Sequence, residues 1–195
     1  NANIGFNKNR INSLGLMDDF GWASGWASTE IGWDYWIAKG GSVGEMWGYK
    51  SAGRYEVSDF QGYDDTSKKW ILKDGVVDAS PVIGTLRPGS MKLQDITGDN
   101  LVGGMEDRTI IGDANPLHTG GFTINGRVKD FDLTANFNWS YGNDVYNANK
   151  VEYTSTSKYQ YRNMTTEMKD GVRWTNLKAD GTISNNPEEL AAMNA

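Results

Sequence analysis

Five oxygen donors between Asp95 and Glu106 are spaced as a hard divalent cation requires. Asp95, Thr97 and Asp99 occupy positions 1, 3 and 5 of a twelve-residue loop, the Leu101 carbonyl position 7 and Glu106 position 12. This is the ligand order of an EF-hand-like calcium cage. Position 6, where a sharp turn favours glycine, is Asn100, a residue that tolerates left-handed backbone better than most. Position 9 is Gly103, and negative charge is thin. The loop therefore has two readings, a calcium site or an uncharged structural turn. A second group is aromatic: Trp22, Trp26, Trp33 and Trp36 lie in the glycine-rich stretch 13–43, where Gly-Trp-Ala-Ser occurs twice in succession from Gly21 to Ser28. Flat indole rings offer a platform on which sugar rings stack, or they pack a long loop against itself.

Little else in the chain bears on chemistry, and it reads as no enzyme. His118 is the only histidine and follows the Asn115-Pro116 turn, a setting for hydrogen-bonded packing more than for a general base. No serine or lysine lies in a nucleophile elbow or phosphate loop. Asp18-Asp19 and Asp64-Asp65 read as solvated faces, not as a glycosidase pair. The chain has no cysteine, which excludes disulfides and thiolate metal sites, and its net charge of −6 argues against nucleic acid as a partner.

The elements that must position these residues read as strands. From Phe122 to Val128 and from Phe131 to Tyr141, apolar and polar residues alternate strictly, and only Lys129-Asp130 separates the runs. A two-residue turn makes Val128 and Phe131 cross-strand neighbours on one face, so register and alternation agree. Runs of about ten residues match a tilted strand crossing a bilayer core of ~30 Å. Phe131 at one end, with Trp139 and Tyr141 at the other, suits the two aromatic girdles of a membrane barrel. A half-buried pair in a soluble β-sandwich has the same period. With mean hydropathy of −0.59 and 38% hydrophobic residues, no run could form a transmembrane helix. The expected class is all-β, with crossings over 1–12, 119–128 and 131–141, and with 13–118 and 142–195 mainly as outer loops. Inside those loops, 44–57 and 68–77 read as short strands, the latter a hairpin around Lys73-Asp74-Gly75. An amphipathic segment is expected over 159–174. A terminal helix should start with Asn186 as cap, Pro187 at the first position, and Glu188 and Glu189 in the first turn.

The order DRTIIG, D-A-N-P, T-G-G-F-x-I, K-D-F-D-L-x-x-x-F and S-Y-G-N-D-V-Y-N resembles the late barrel region of the SusC/RagA-type TonB-dependent transporters of Bacteroidota. NANIGFNKNRINSLG resembles a strand-and-loop segment of that family, and VGEMWGYKSAGRYEV its G-x-x-x-G-Y-K-x-x-G-x-Y element. PGSMKLQDITGDN resembles its P-G-D-I-x-Y-x-D-x-N-G-D-G, a calcium-type loop whose second acidic cluster is depleted here. The likeness covers most of 1–150 and is strongest over 86–147. It implies that residues 1–195 are an internal piece of one large outer-membrane antiparallel β-barrel of 22 strands with a plug. It also implies import of oligosaccharides or peptides, powered through TonB, with a SusD-like surface lipoprotein as partner. The absence of a signal peptide at the amino terminus agrees with an internal piece. A different class, a soluble secreted carbohydrate-binding β-sandwich with a calcium turn, would share the tryptophans, alternation and acidity.

Overall fold

A computed structural model of the chain describes residues 1–25, 32–155, 161–169 and 171–195. In chain order its strands are β1 (Ala2–Phe6), β2 (Asp19–Trp22), β3 (Tyr35–Ala38), β4 (Glu45–Gly48), β5 (Ser51–Arg54), β6 (Phe60–Asp64), β7 (Lys69–Leu72), β8 (Met91–Leu93), β9 (Thr109–Asp113), β10 (His118–Val128) and β11 (Phe131–Tyr141). The α-helices among the described residues are short: α1 (Ser80–Ile83), α2 (Ala148–Thr154) and α3 (Pro187–Met193). The architecture is all-β, and among the described residues no helix is long and apolar enough to cross a membrane. The chain forms two compact units, one from 1–48 with 110–148 and the other from 49–109 with 149–195.

The first unit holds two sheets. In one, β10 lies between β1 and β11, antiparallel to both. Val128 pairs with Phe131 and His118 with Tyr141, so the hairpin stays in register along its whole length. Lys129 makes the turn with φ of 55°, in the left-handed region. β1 is shorter than a crossing over 1–12, ending at Phe6. Beyond it the backbone bonds elsewhere: Ile11 donates to the Gly41 carbonyl at 2.9 Å, and the Asn9 side chain accepts from the Val43 amide at 2.7 Å. The second sheet, ordered β2-β3-β4-β9, brings strand structure into 13–43, where no strand period is visible in the sequence. Its strands of four or five residues span too few positions to show alternation. Asp34, only 6% exposed, accepts hydrogen bonds from the Ser24 amide at 2.7 Å and from the Ser24 hydroxyl, clasping the ends of the β2–β3 connection.

The second unit has its own core of Tyr55, Phe60, Trp70, Ala79, Leu86, Leu93, Val102 and Leu190. Tyr55 is fully buried; its hydroxyl donates to the Val77 carbonyl at 2.6 Å and accepts from the Ala79 amide at 3.1 Å, so the polar end is satisfied. Burial pushes its phenol pKa up. The expected hairpin around Lys73-Asp74-Gly75 is displaced. β7 does form, but it pairs with β6 through the turn Asp65–Lys68. The Asp64 carboxylate accepts the Thr66 and Ser67 amides at 2.9 and 3.1 Å, and Lys68 takes φ of 56°. That aspartate-nucleated turn outcompetes the Asp-Gly signal downstream, which forms only a local turn through the Val76 amide and Lys73 carbonyl. Part of 159–174 lies outside the described residues; the rest contains only a 3-10 turn, Thr166–Met168. At the end of the chain, the Asn186 side chain caps α3 by accepting from Glu188 and Glu189 amides at 2.8 and 3.2 Å. The helix thereby seats Leu190 in the core.

Candidate functional site

The register of β1, β10 and β11 sorts their side chains onto two faces of opposite character. One carries Ala2, Ile4 and Phe6 opposite Phe122, Gly120 and His118, then Ile124, Gly126 and Val128 opposite Ala135, Leu133 and Phe131. It carries no carboxylate, lysine or arginine. Phe6, Val128, Phe131 and Leu133 are 75%, 71%, 80% and 65% exposed, far more apolar surface than a soluble sheet leaves bare. At its β11 end the rings gather. His118 stacks on Tyr141 at 5.0 Å, Phe6 lies 5.8 Å from His118, and Trp139 donates from Nε1 to His118 Nδ1 at 3.1 Å. Gly120 has to be glycine there, because a Cβ would run into the Trp139 indole. His118 is thus occupied as an acceptor in an aromatic cluster. The opposite face is an amide and hydroxyl ladder: Thr123 donates to Asn136 at 2.8 Å and Thr134 to Asn125 at 2.9 Å. Its ion pair, Arg127 with Asp132 at 3.5 Å, sits next to the turn.

Of the four candidate platform tryptophans, Trp26 lies outside the described residues. Trp36 pairs across the sheet with Gly21, and the Trp33 ring lies where a Gly21 Cβ would project, so Trp33 and Trp36 share a face. Trp22 pairs with Tyr35 on the other face and is 60% exposed. Trp47 was not apparent as part of the group. It stacks on Trp36 at 4.7 Å with 23° between the planes. Its place on β4 shows no sequence period linking it to Trp36. Gly21 carries the one legible signal, a small residue where a ring must approach.

Around the acidic loop the hydrogen bonds converge on a residue absent from the proposed ligand set. Asp107, fully buried, accepts the Ile96 amide at 2.9 Å, the Thr97 amide at 3.2 Å and the Gly103 amide at 2.6 Å. Asp95 accepts the Gly98 and Asn100 amides at 2.6 and 2.7 Å and the Thr97 hydroxyl at 3.1 Å. Asp99 accepts the Leu101 amide at 2.9 Å, and Glu106 the Gly104 amide at 3.1 Å. Asn100 adopts φ of 66°, and Glu106 folds over Gly103, leaving no room for a Cβ. Among the described residues no three His, Cys, Asp or Glu side chains gather as a metal cluster. As arranged, the donors make a self-bonded turn.

These bonds set the loop's response to acid. The Gly103 amide, followed by those of Ile96 and Thr97, holds Asp107 below the ordinary value of 3.8, and the Gly98 amide does the same for Asp95, helped by Asn100. Native carboxylates that bind protons less readily than unfolded ones stabilise fully above the unfolded pKa and lose that contribution as pH falls through the depressed native values. The loop is expected to stay intact to about pH 4 and to open below it. Amide exchange at Gly98, Asn100 and Gly103, followed from about pH 5 to about pH 2, checks this. Protection that is flat across the range counts against carboxylates as the anchor.

No family model matches the chain. Two curated proteins of Formosa agariphila are similar to it. TonB-dependent receptor P39 is 26% identical over 162 residues, covering 74% of this chain and 15% of that receptor. TonB-dependent receptor P3 is 28% identical over 144 residues, covering 74% of this chain and 12% of that receptor. The chain, all-β with one bare apolar sheet face, is thus similar to TonB-dependent receptors over 74% of its length while spanning only 12 to 15% of theirs.

Proposed function

We propose that these residues are a wall-and-loop segment of an outer-membrane TonB-dependent importer of the SusC/RagA type. The uncharged, exposed face of β1, β10 and β11 carries the reading. Strands of eleven residues suffice to cross a bilayer core at a barrel's tilt, and lipid is the solvent in which that face is at no disadvantage. The amide and hydroxyl ladder then faces the lumen, and the two-residue turn at Lys129-Asp130 is of periplasmic length. The barrel is read as 22 strands around a plug, lying mostly outside these residues. The second unit belongs to the outer surface, where a SusD-like lipoprotein closes over the mouth, while TonB engages other parts of the receptor. The cargo class is oligosaccharide or peptide, with Trp22, Trp26, Trp33 and Trp36 as candidate contacts. The chain does transport and no catalysis.

Fractionation of cells expressing the parent chain tests this. Recovery in the outer membrane, need for detergent, and copurification with a surface lipoprotein are expected. A stable detergent-free monomer would instead support the soluble sugar-binding sandwich. A calcium ion at Asp95, Thr97, Asp99, Leu101 and Glu106 belongs to the same proposal and rests on oxygen spacing alone. Binding would have to draw carboxylate oxygens away from the amides they now hold. Unfolding curves that coincide in calcium and in chelator retire it.

A further inference from the structure

The second unit contains a cavity of about 390 Å³, lined by Arg87, Gly89, Ser90, Arg173, Trp174 and Asn176 among others. Its size falls in the range of small-ligand sites, ~300–1,000 Å³. No carboxylate side chain lines it among the described residues, in a chain whose net charge is −6. Arg87 is exposed and makes no ion pair among the described residues. The Trp174 indole lies where a Cβ on Gly89, with φ of 88°, would be, so the half-buried ring packs against backbone there and against the core of the unit while lining the cavity. The Ser90 hydroxyl accepts the Arg87 amide at 3.2 Å and keeps its own proton to donate. Asn176 is held through its backbone, which accepts from the Ser184 amide at 2.8 Å.

The geometry points to a binding subsite for a sugar ring bearing an anionic group, with Trp174 as the stacking surface. Arg87 receives the anion, and Ser90 and Asn176 meet ring hydroxyls. A guanidinium can hydrogen-bond side by side to two oxygens of a carboxylate or of a tetrahedral sulfate group, and an indole packed against backbone gives up little freedom when a sugar ring stacks on it. A peptide carboxylate would use Arg87 but would leave the indole and the ring-facing polar groups without a role. The proposal rests on the reading of the second unit as an outer-surface part of an importer, yet it is tested separately from transport.

The purified parent receptor in detergent is titrated calorimetrically with four probes: a glucuronate-terminated disaccharide, its neutral glucose counterpart, sodium sulfate and a dipeptide with a free carboxylate. The expected result is that the acidic disaccharide binds about tenfold or more tightly than the neutral one, an advantage that Arg87→Ala removes and Arg87→Lys partly restores. Arg87 is exposed, so its variants should keep the wild-type unfolding temperature. Sulfate displacing the disaccharide shows that the anion position also takes a sulfate group; failure of sulfate to compete restricts it to a carboxylate. Equal affinity for acidic and neutral sugars, tighter binding of the dipeptide, or no effect of Arg87→Ala overturns the subsite. A receptor that binds the acidic sugar but does not fractionate with the outer membrane keeps the subsite and loses the transport reading.

Discussion

Arginine placed at Ala135 is expected to destabilise the wall by about 2–4 kcal/mol, whereas arginine at the adjacent Asn136 should be mild. Ala135 lies one residue from the middle of β11, on the face shared with Ile124 and Phe137, and its partner register puts it on the uncharged side of the sheet. The test gains force from depth. A barrel strand advances ~2.5 Å along the membrane normal per residue, given its rise and tilt. Leu133, three residues from the middle of β11, should therefore lie ~7–8 Å from the midplane, and Leu133→Arg should cost less than Ala135→Arg. A soluble sandwich predicts a different order. There the cost would follow the side-chain volume removed or forced into a packed core, and Leu133 would be hit at least as hard as alanine. Unfolding in detergent or lipid, read by the heat-dependent gel mobility of the barrel, ranks the three variants. If Leu133→Arg costs more than Ala135→Arg, or if Asn136→Arg equals them, the bilayer is not what this face meets.

The β10–β11 hairpin was legible in the chain down to its register, because eleven-residue strands give alternation enough positions to be seen and a two-residue turn leaves the pairing no freedom. The α3 start was legible for a similar reason, since Asn186, Pro187, Glu188 and Glu189 act on adjacent backbone amides. What escaped was set at a distance. β2 and β3 are four residues each, and they are held by the Ser24–Asp34 clasp and by Trp33 lying on Gly21, neither of which leaves a period. The hairpin turns at Asp65–Lys68, ahead of the expected Lys73-Asp74-Gly75, because the Asp64 carboxylate takes two amides, which outweighs the Asp74-Gly75 signal. In the acidic loop, spacing drew attention to alternate oxygens from Asp95 to Glu106. The hub is Asp107, one residue past the end of that pattern, and a buried carboxylate gathering amides from 96, 97 and 103 looks in sequence like any other aspartate.

Truncating Leu190 to alanine is expected to cost the second unit about 2–5 kcal/mol while leaving the β10–β11 hairpin intact. Seven of the eight buried core residues come from Tyr55 to Val102, and Leu190, 1% exposed, is the contribution of the carboxy-terminal segment. Its helix is capped by Asn186 and braced by Lys178, which pairs with Glu189 at 2.7 Å, so α3 can move little to refill the gap. The same segment supplies Trp174, whose ring covers Gly89. Deleting 142–190 would therefore remove both the core plug and the cover, exposing Tyr55, Phe60 and Trp70 to solvent. Loss of a lipoprotein partner after that deletion would report an unfolded unit and say nothing about which surface the partner touches. Leu190→Ala separates the two. Limited proteolysis of the membrane-inserted receptor should show faster cleavage within 49–109, with heat-dependent mobility of the barrel unchanged. If cleavage is unchanged, the carboxy-terminal segment does not hold the core together, and the deletion regains its value as a map of the partner's footprint.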